Sequence, residues 1–225
     1  MRYRNAIFDM DGVLIDNSEG IIGCARRTVL ELGLPDLPDE TYRLFIGPAL
    51  MYSLKTYAGA TEEQCEEGYK KYREYYFARG IDEYRVYDGV EEMLQTLTEA
   101  GVKCTVASGK PAESVRRILE TSGLGKYFLR AEGSDRPKKY SDKTKQILAA
   151  VVDEPAVMIG DRVFDLLAAK SAGVDSIYAL YGFCAPGDTD EIKPTFEAAD
   201  PHEITDIVLC RGRYANIPKQ TENIK

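Results

Sequence analysis

Carboxylates set beside turn residues are the first chemistry the sequence offers. Asp9-Met10-Asp11-Gly12 closes one short apolar run and Ile159-Gly160-Asp161-Arg162 closes another, with Asp165 four residues after Asp161. A third run ends in Ala107-Ser108-Gly109-Lys110-Pro111, and Lys143 opens a segment of helical periodicity containing Ile147, Leu148 and Val151. Each motif alone has a plain structural reading. Asp and Gly favour turns, Asp161 and Asp165 suit a helix N-cap and its first turn, and Ser108 suits a helix N-terminus, a role compatible with holding phosphate. Placement adds more: in open parallel α/β sheets, ligands bind outside the carboxyl ends of the strands. Strands ending in these motifs would gather two to four carboxylates, a hydroxyl and an ammonium at one sheet edge. The single histidine, His202, lies far along the chain and reads as a surface residue at a helix start, so catalysis falls to carboxylates.

The elements that must position these groups follow from periodicity. Residues 3–9 read as a buried strand. Ile22, Ala25, Val29 and Leu32 repeat at helical spacing over 18–32, closed by Gly33 and Pro35. From 38 to 79 the chain is helical and tyrosine-rich, with Thr61 and Gln64 in capping-box spacing. Beyond Tyr87-Asp88-Gly89, helices at 89–100, 111–122, 142–153 and 164–172 alternate with strands at 102–107, 127–132, 156–160 and 174–180. That alternation predicts an α/β fold, a Rossmann-like parallel sheet with helices on both faces. The helical block after the first strand is too long for a simple crossover. Residues 17–87 therefore read as an inserted all-helical cap domain, 1–16 and 88–211 as the Rossmann-like catalytic core, and 212–225 as a polar C-terminal tail.

The 225 residues are 44% apolar and 29% charged, ordinary for a soluble chain with a sizeable core. A net charge of −8, with no run of five basic residues, makes nucleic acid and anionic membrane poor partners. No apolar run approaches the roughly 18 residues of a membrane span, and the first residues carry no apolar signal core. Five cysteines without metal-ligand or redox spacing read as thiols of a reducing compartment. The expectation is a cytoplasmic protein, monomer or homodimer.

The chain resembles the haloacid dehalogenase-like hydrolases, in particular the phosphoglycolate phosphatase-like branch with its 5′-nucleotidase and pyrophosphatase relatives. Asp9-Met10-Asp11-Gly12-Val13-Leu14-Ile15-Asp16 is similar to the first family motif, Ser108 to the second, Lys143 to the third, and Gly160-Asp161 with Asp165 to the fourth. Ile46-Gly47-Pro48, Val86-Tyr87-Asp88-Gly89, Asp175-Ser176-Ile177 and Leu180-Tyr181-Gly182 match further segments, so the resemblance spans roughly residues 4–210.

The resemblance implies a phosphatase acting on a small phosphorylated metabolite such as phosphoglycolate or a nucleoside 5′-monophosphate. It makes Asp9 the nucleophile that forms an aspartyl-phosphate and Asp11 the general acid and base. Ser108, the Gly109 amide and Lys143 would hold the phosphoryl oxygens. Two carboxylates about 4 Å apart repel by roughly 4 kcal/mol at an effective dielectric of 20, so such a cluster needs a cation, and Mg²⁺ suits oxygen ligands. By resemblance its ligands are Asp9, the Asp11 carbonyl and Asp161, with Asp165 ligating or holding a metal water. Lys143 is preferred over Lys138 for the phosphate because it begins an apolar-periodic helix at the family's spacing from Gly133-Ser134, whereas Asp135 to Tyr140 departs from the family loop. Arg43 and Gly47 are assigned to the substrate side of the cap, and Lys110-Pro111 to an active-site loop. Asp16 and Asn17 read as caps of the helix at Ser18. Tyr69, Tyr72 and Tyr76, at helical spacing, read as a core or dimer-facing stripe. A phosphosugar mutase of the same superfamily and a non-catalytic phosphometabolite-binding regulator are the competing functions. The Asp11 carboxylate argues against a dehalogenase or a phosphonate hydrolase.

Overall fold

The computed structural model describes residues 1–134 and 142–215, so Lys138 lies outside the described residues. Strand β1 (Asn5–Phe8) is buried along its whole length, as a central parallel strand covered on both faces must be. Its side chains alternate: Ala6 and Phe8 enter one apolar cluster and Ile7 another on the opposite face. Around it run β4 (Lys103–Pro111), β5 (Phe128–Ser134), β6 (Ala156–Gly160), β7 (Asp175–Ala179) and β8 (Phe196–Ala198). These form one six-stranded parallel sheet in the order β5-β4-β1-β6-β7-β8. Helices α5 (Val90–Glu99), α6 (Ala112–Thr121) and α9 (Pro201–Leu209) supply Met93, Leu94, Val115, Ile118, Ile204 and Val208 to the Phe8 side. Helices α7 (Thr144–Ala150) and α8 (Val163–Ala172) close the Ile7 side with Ile147, Ala150, Ala168 and Ala169. The fold is α/β and Rossmann-like.

Between β1 and the rest of the sheet, a two-stranded antiparallel ribbon joins β2 (Ile15–Asp16) to β3 (Arg85–Val86). The helices α1 (Ser18–Glu31), α2 (Asp39–Arg43), α3 (Leu50–Ala58) and α4 (Glu62–Ala78) lie between those two strands in sequence. They share an apolar cluster of their own built on Ala25, Val29, Tyr42, Phe45, Met51, Leu54 and Cys65. The capping box at α4 forms in both directions: the Gln64 amide N–H donates to Thr61 Oγ1 at 3.2 Å, and Thr61 N–H donates to Gln64 Oε1 at 3.0 Å.

Several elements differ from the sequence reading; β4, read as ending at 107, runs on to Pro111. Helix α7 stops at Ala150 rather than 153, because Val151 turns extended and the next amide, Val152 N–H, donates to Asn5 Oδ1 at 2.8 Å. Strand β8, three residues long, lies outside the alternation read from the sequence, whereas α9 begins at Pro201, where the exposed His202 reads as a helix start. Gly212–Tyr214, read as the start of a polar tail, instead forms a 3₁₀ turn with Tyr214 buried. Arg2 donates to the Tyr214 carbonyl at 3.3 Å, and the Tyr214 ring meets Phe196 edge-on at 6.0 Å. Among the described residues, no helix is long and apolar enough to cross a membrane.

Candidate active site

The carboxyl ends of β1, β4 and β6 bring the sequence motifs together. Asp9 follows β1 directly, its amide N–H donating to the Ile159 carbonyl at 2.9 Å, which fixes it beside the end of β6. Lys143 stands at the N-terminal edge of α7 and is buried. Its Nζ donates to Asp9 Oδ2 at 2.5 Å and to Asp165 Oδ1 at 2.7 Å. The other Asp165 oxygen accepts the Arg162 amide N–H at 3.1 Å, and Asp161 Oδ2 accepts the Phe183 amide N–H at 2.7 Å. Ser108 Oγ accepts the Lys110 amide N–H at 3.2 Å, which leaves its hydroxyl proton available to donate.

Two buried oxygens in this cluster, Asp9 Oδ1 and Asp161 Oδ1, have no hydrogen-bond partner among the described residues. A carboxylate oxygen left so in the interior is costly unless something else meets it. Asp9, Asp161 and Asp165 can each offer one oxygen with all three atoms within 4.8 Å of one another. Three carboxylates against the single Lys143 ammonium leave two negative charges, the deficit a divalent cation would cancel. Burial first, and then the charges of Asp165 and Asp11, push the Asp9 carboxyl up to about 7 against the pull of Lys143. Burial and the neighbouring Asp165 and Asp9 raise Asp161 as well. Burial opposes the charge on Lys143, but Asp165 and Asp9 overcome it and hold the ammonium protonated. The donor set and its orphaned oxygens therefore fit a hard divalent ion.

Asp11 faces away from that cluster. Its Oδ1 accepts from Asn17 Nδ2 at 2.7 Å and its Oδ2 pairs with Lys110 Nζ at 3.1 Å. Asn17 was read as a helix cap, yet its side chain makes no cap hydrogen bond. Asp16 takes that part, its Oδ1 accepting the Ser18 amide N–H at 3.1 Å while its Oδ2 pairs with Arg85 at 3.0 Å.

A cavity of about 130 Å³ lies over these groups. Asp9, Asp11, Ser108, Gly109, Lys110 and Lys143 form its floor, and Phe45, the run from Gly47 to Met51, Tyr69, Tyr72, Tyr76 and Phe77 form a largely apolar wall. The tyrosine stripe thus faces the cavity rather than only a core, with Tyr72 and Tyr76 stacked at 5.6 Å. Gly47 lines the cavity with φ +99°, and a Cβ there would come 3.1 Å from Arg162 Cγ. Arg43 is not brought to the site: it stands exposed at the end of α2 and does not line the cavity. The sequence reading also passed over Arg162, whose Nη1 donates to the Ile46 carbonyl at 2.5 Å and whose Nε donates to Asp188 at 3.0 Å. Its place directly after the motif residue Asp161 is a sequence signal, but its buried partners are not visible there.

Comparison with known proteins agrees with this geometry. A family profile described as "Haloacid dehalogenase-like hydrolase" matches residues 6–179. The chain belongs to the haloacid dehalogenase-like hydrolases. It is 33% identical over 209 residues to a protein of Pseudomonas aeruginosa named "5'-nucleotidase", covering 89% of this chain and 93% of that one. It is 30% identical over 204 residues to "Tyrosine-protein kinase PtkA" of Mycobacterium tuberculosis, covering 88% and 68%. Further relatives bear the names phosphoglycolate phosphatase and pyrophosphatase. A crystal structure described as a predicted phosphatase from Clostridium acetobutylicum superposes with a TM-score of 0.86 at 30% identity, covering 93% of this chain and 99% of that one.

Proposed function

We propose that the protein is a Mg²⁺-dependent phosphatase that hydrolyses a small phosphorylated metabolite, such as phosphoglycolate or a nucleoside 5′-monophosphate, through an aspartyl-phosphate on Asp9. At the level of class it is a phosphoric monoester hydrolase of the haloacid dehalogenase-like family. One observation carries the reading further. Asp9 sits on the cavity floor with Oδ2 held by Lys143 and Oδ1 without a partner among the described residues, a carboxylate aimed by one oxygen and available through the other.

Asp9 attacks phosphorus in line while Lys143, the Ser108 hydroxyl and the Gly109 amide hold the phosphoryl oxygens. Asp11 gives a proton to the leaving oxygen and then takes one from the water that opens the aspartyl-phosphate. Asp9 and Asp161, with the Asp11 carbonyl, would hold Mg²⁺, and Asp165 keeps Lys143 in place beside them. When bound, the ion neutralises the carboxylate cluster and polarises a phosphoryl oxygen. Residues 17–87 act as the cap, whose wall selects the leaving group.

The test is phosphate release from a panel of phosphoglycolate, nucleoside 5′-monophosphates, pyrophosphate and sugar phosphates with Mg²⁺. The expected outcome is free phosphate from at least one ester and loss of that activity in Asp9→Asn. Isomerisation of a sugar phosphate without phosphate release would overturn the reading in favour of a mutase.

A further inference from the structure

Resting on the phosphatase reading, the geometry points to Lys110 as a positioning residue that aims the Asp11 carboxylate by tying it to helix α4 through Tyr76. Lys110 comes from the end of β4, Asp11 from the loop after β1, Asn17 from the start of α1 and Tyr76 from α4, so four separate segments meet at one carboxylate. Lys110 Nζ lies 3.1 Å from Asp11 Oδ2, donates to the Tyr76 hydroxyl at 2.8 Å and sits 4.7 Å from the centre of the Tyr76 ring. Its side chain is 9% exposed. An ammonium has three donors and no acceptor, and here, at the cavity floor, its polar partners are one carboxylate and one tyrosine. Asn17 holds the other Asp11 oxygen at 2.7 Å. The carboxylate is gripped from both sides, and one grip reaches into the helical layer that walls the cavity.

The two buried lysines of the floor therefore divide their work. Lys143 serves Asp9 and Asp165, whereas Lys110 serves Asp11 and does not act as a phosphate anchor. Moving a reacting group by about 1 Å can cost 10²-fold in rate, so loss of Lys110 should lower kcat by about that factor with KM little changed.

Lys110→Met assayed with p-nitrophenyl phosphate separates positioning from simple damage. In the first step the Asp9–phosphorus bond forms as the ester bond breaks, and nitrophenolate departs as the anion without needing a proton. In the second step water attacks phosphorus, the Asp9–phosphorus bond breaks and the water's proton passes to Asp11. A mis-aimed Asp11 slows only the second step, so the variant should give a burst of about one nitrophenolate per chain followed by slow turnover. Equal slowing of both phases without a burst, or a tenfold rise in KM with kcat retained, would overturn the proposal. Tyr76→Phe keeps the ring and removes the hydroxyl. It should show the same burst with a smaller loss and be non-additive with Lys110→Met, and additive effects would remove α4 from the device. If Lys110→Met does not fold, Tyr76→Phe and Asn17→Ala carry the same burst test. A wild-type chain that releases phosphate from no ester defeats the phosphatase reading itself, whereas an active wild type with no burst in the variants defeats only this inference.

Discussion

The floor and the wall of the cavity are built on opposite principles. On the floor, charge decides everything: each acid is paired with a named donor or left with one oxygen facing the cluster, as with Lys143 between Asp9 and Asp165. The wall contributes rings and aliphatic side chains, Phe45, Leu50, Met51, Tyr69 and Tyr72 among them, held by packing within the helical layer. A buried ion pair loses heavily when one partner goes, because the other is left uncompensated. An apolar contact loses in proportion to the surface it gives up. Substitutions on the floor should therefore stop the chemistry, while substitutions on the wall should redistribute it among substrates.

The largest effect belongs to the nucleophile. Asp9→Asn should lower phosphate release by about 10⁴-fold or more while circular dichroism and thermal unfolding show a folded chain. Next comes the ion. Chelation should bring activity to background, and Mg²⁺ should stabilise the wild-type fold by about 2.7 kcal/mol at a hundredfold excess over Kd, read as a rise in Tm. Asp161→Asn should abolish that rise, and an unchanged Mg²⁺-dependent Tm in the variant would break the metal assignment. Third, Lys143→Ala should reduce the rate by roughly 10²- to 10³-fold, and should cost about 3–5 kcal/mol in denaturant unfolding without the ion. Lys138→Ala should do neither, and a larger loss at Lys138 would move the phosphate-facing lysine elsewhere.

On the wall the effects should be smaller and selective. Gly47→Ala places a methyl at φ +99° against Arg162, and should change relative rates among phosphate esters by about tenfold without abolishing turnover of a small generic ester. Equal loss for every ester would show that the wall and floor are not separable. Smallest of all, Arg43→Ala, on an exposed side chain away from the cavity, should leave rates unchanged and stability within about 0.5 kcal/mol.

The same contrast explains what the sequence made legible. Motif carboxylates could be read because strand ends and turn residues are local signals, and parallel topology converts them into a shared edge. Nothing in the spacing of Tyr69, Tyr72 and Tyr76 says what lies opposite, since helical periodicity defines a face without its partner, and the cavity side emerges only where these side chains line the cavity and Tyr76 meets Lys110. Asn17 failed for a related reason. Capping and long-range hydrogen bonding draw on the same residue types, and here Asp16 satisfied the helix and released Asn17 to Asp11. Arg162 could not be assigned because its partners, Ile46 and Asp188, are 116 and 26 residues away.

The ribbon of β2 and β3 has a consequence for how such a molecule can diversify. The chain leaves the sheet at Ile15–Asp16 and returns antiparallel at Arg85–Val86, with Asp16 and Arg85 clasped across the pair. Both crossings share one doorway, so the ends of everything between them are already side by side. Closing a loop across fixed neighbouring ends costs entropy that grows only with the logarithm of its length, about 0.6 kcal/mol for each doubling. Helices can be lengthened, shortened or exchanged beyond that doorway at little cost to the sheet.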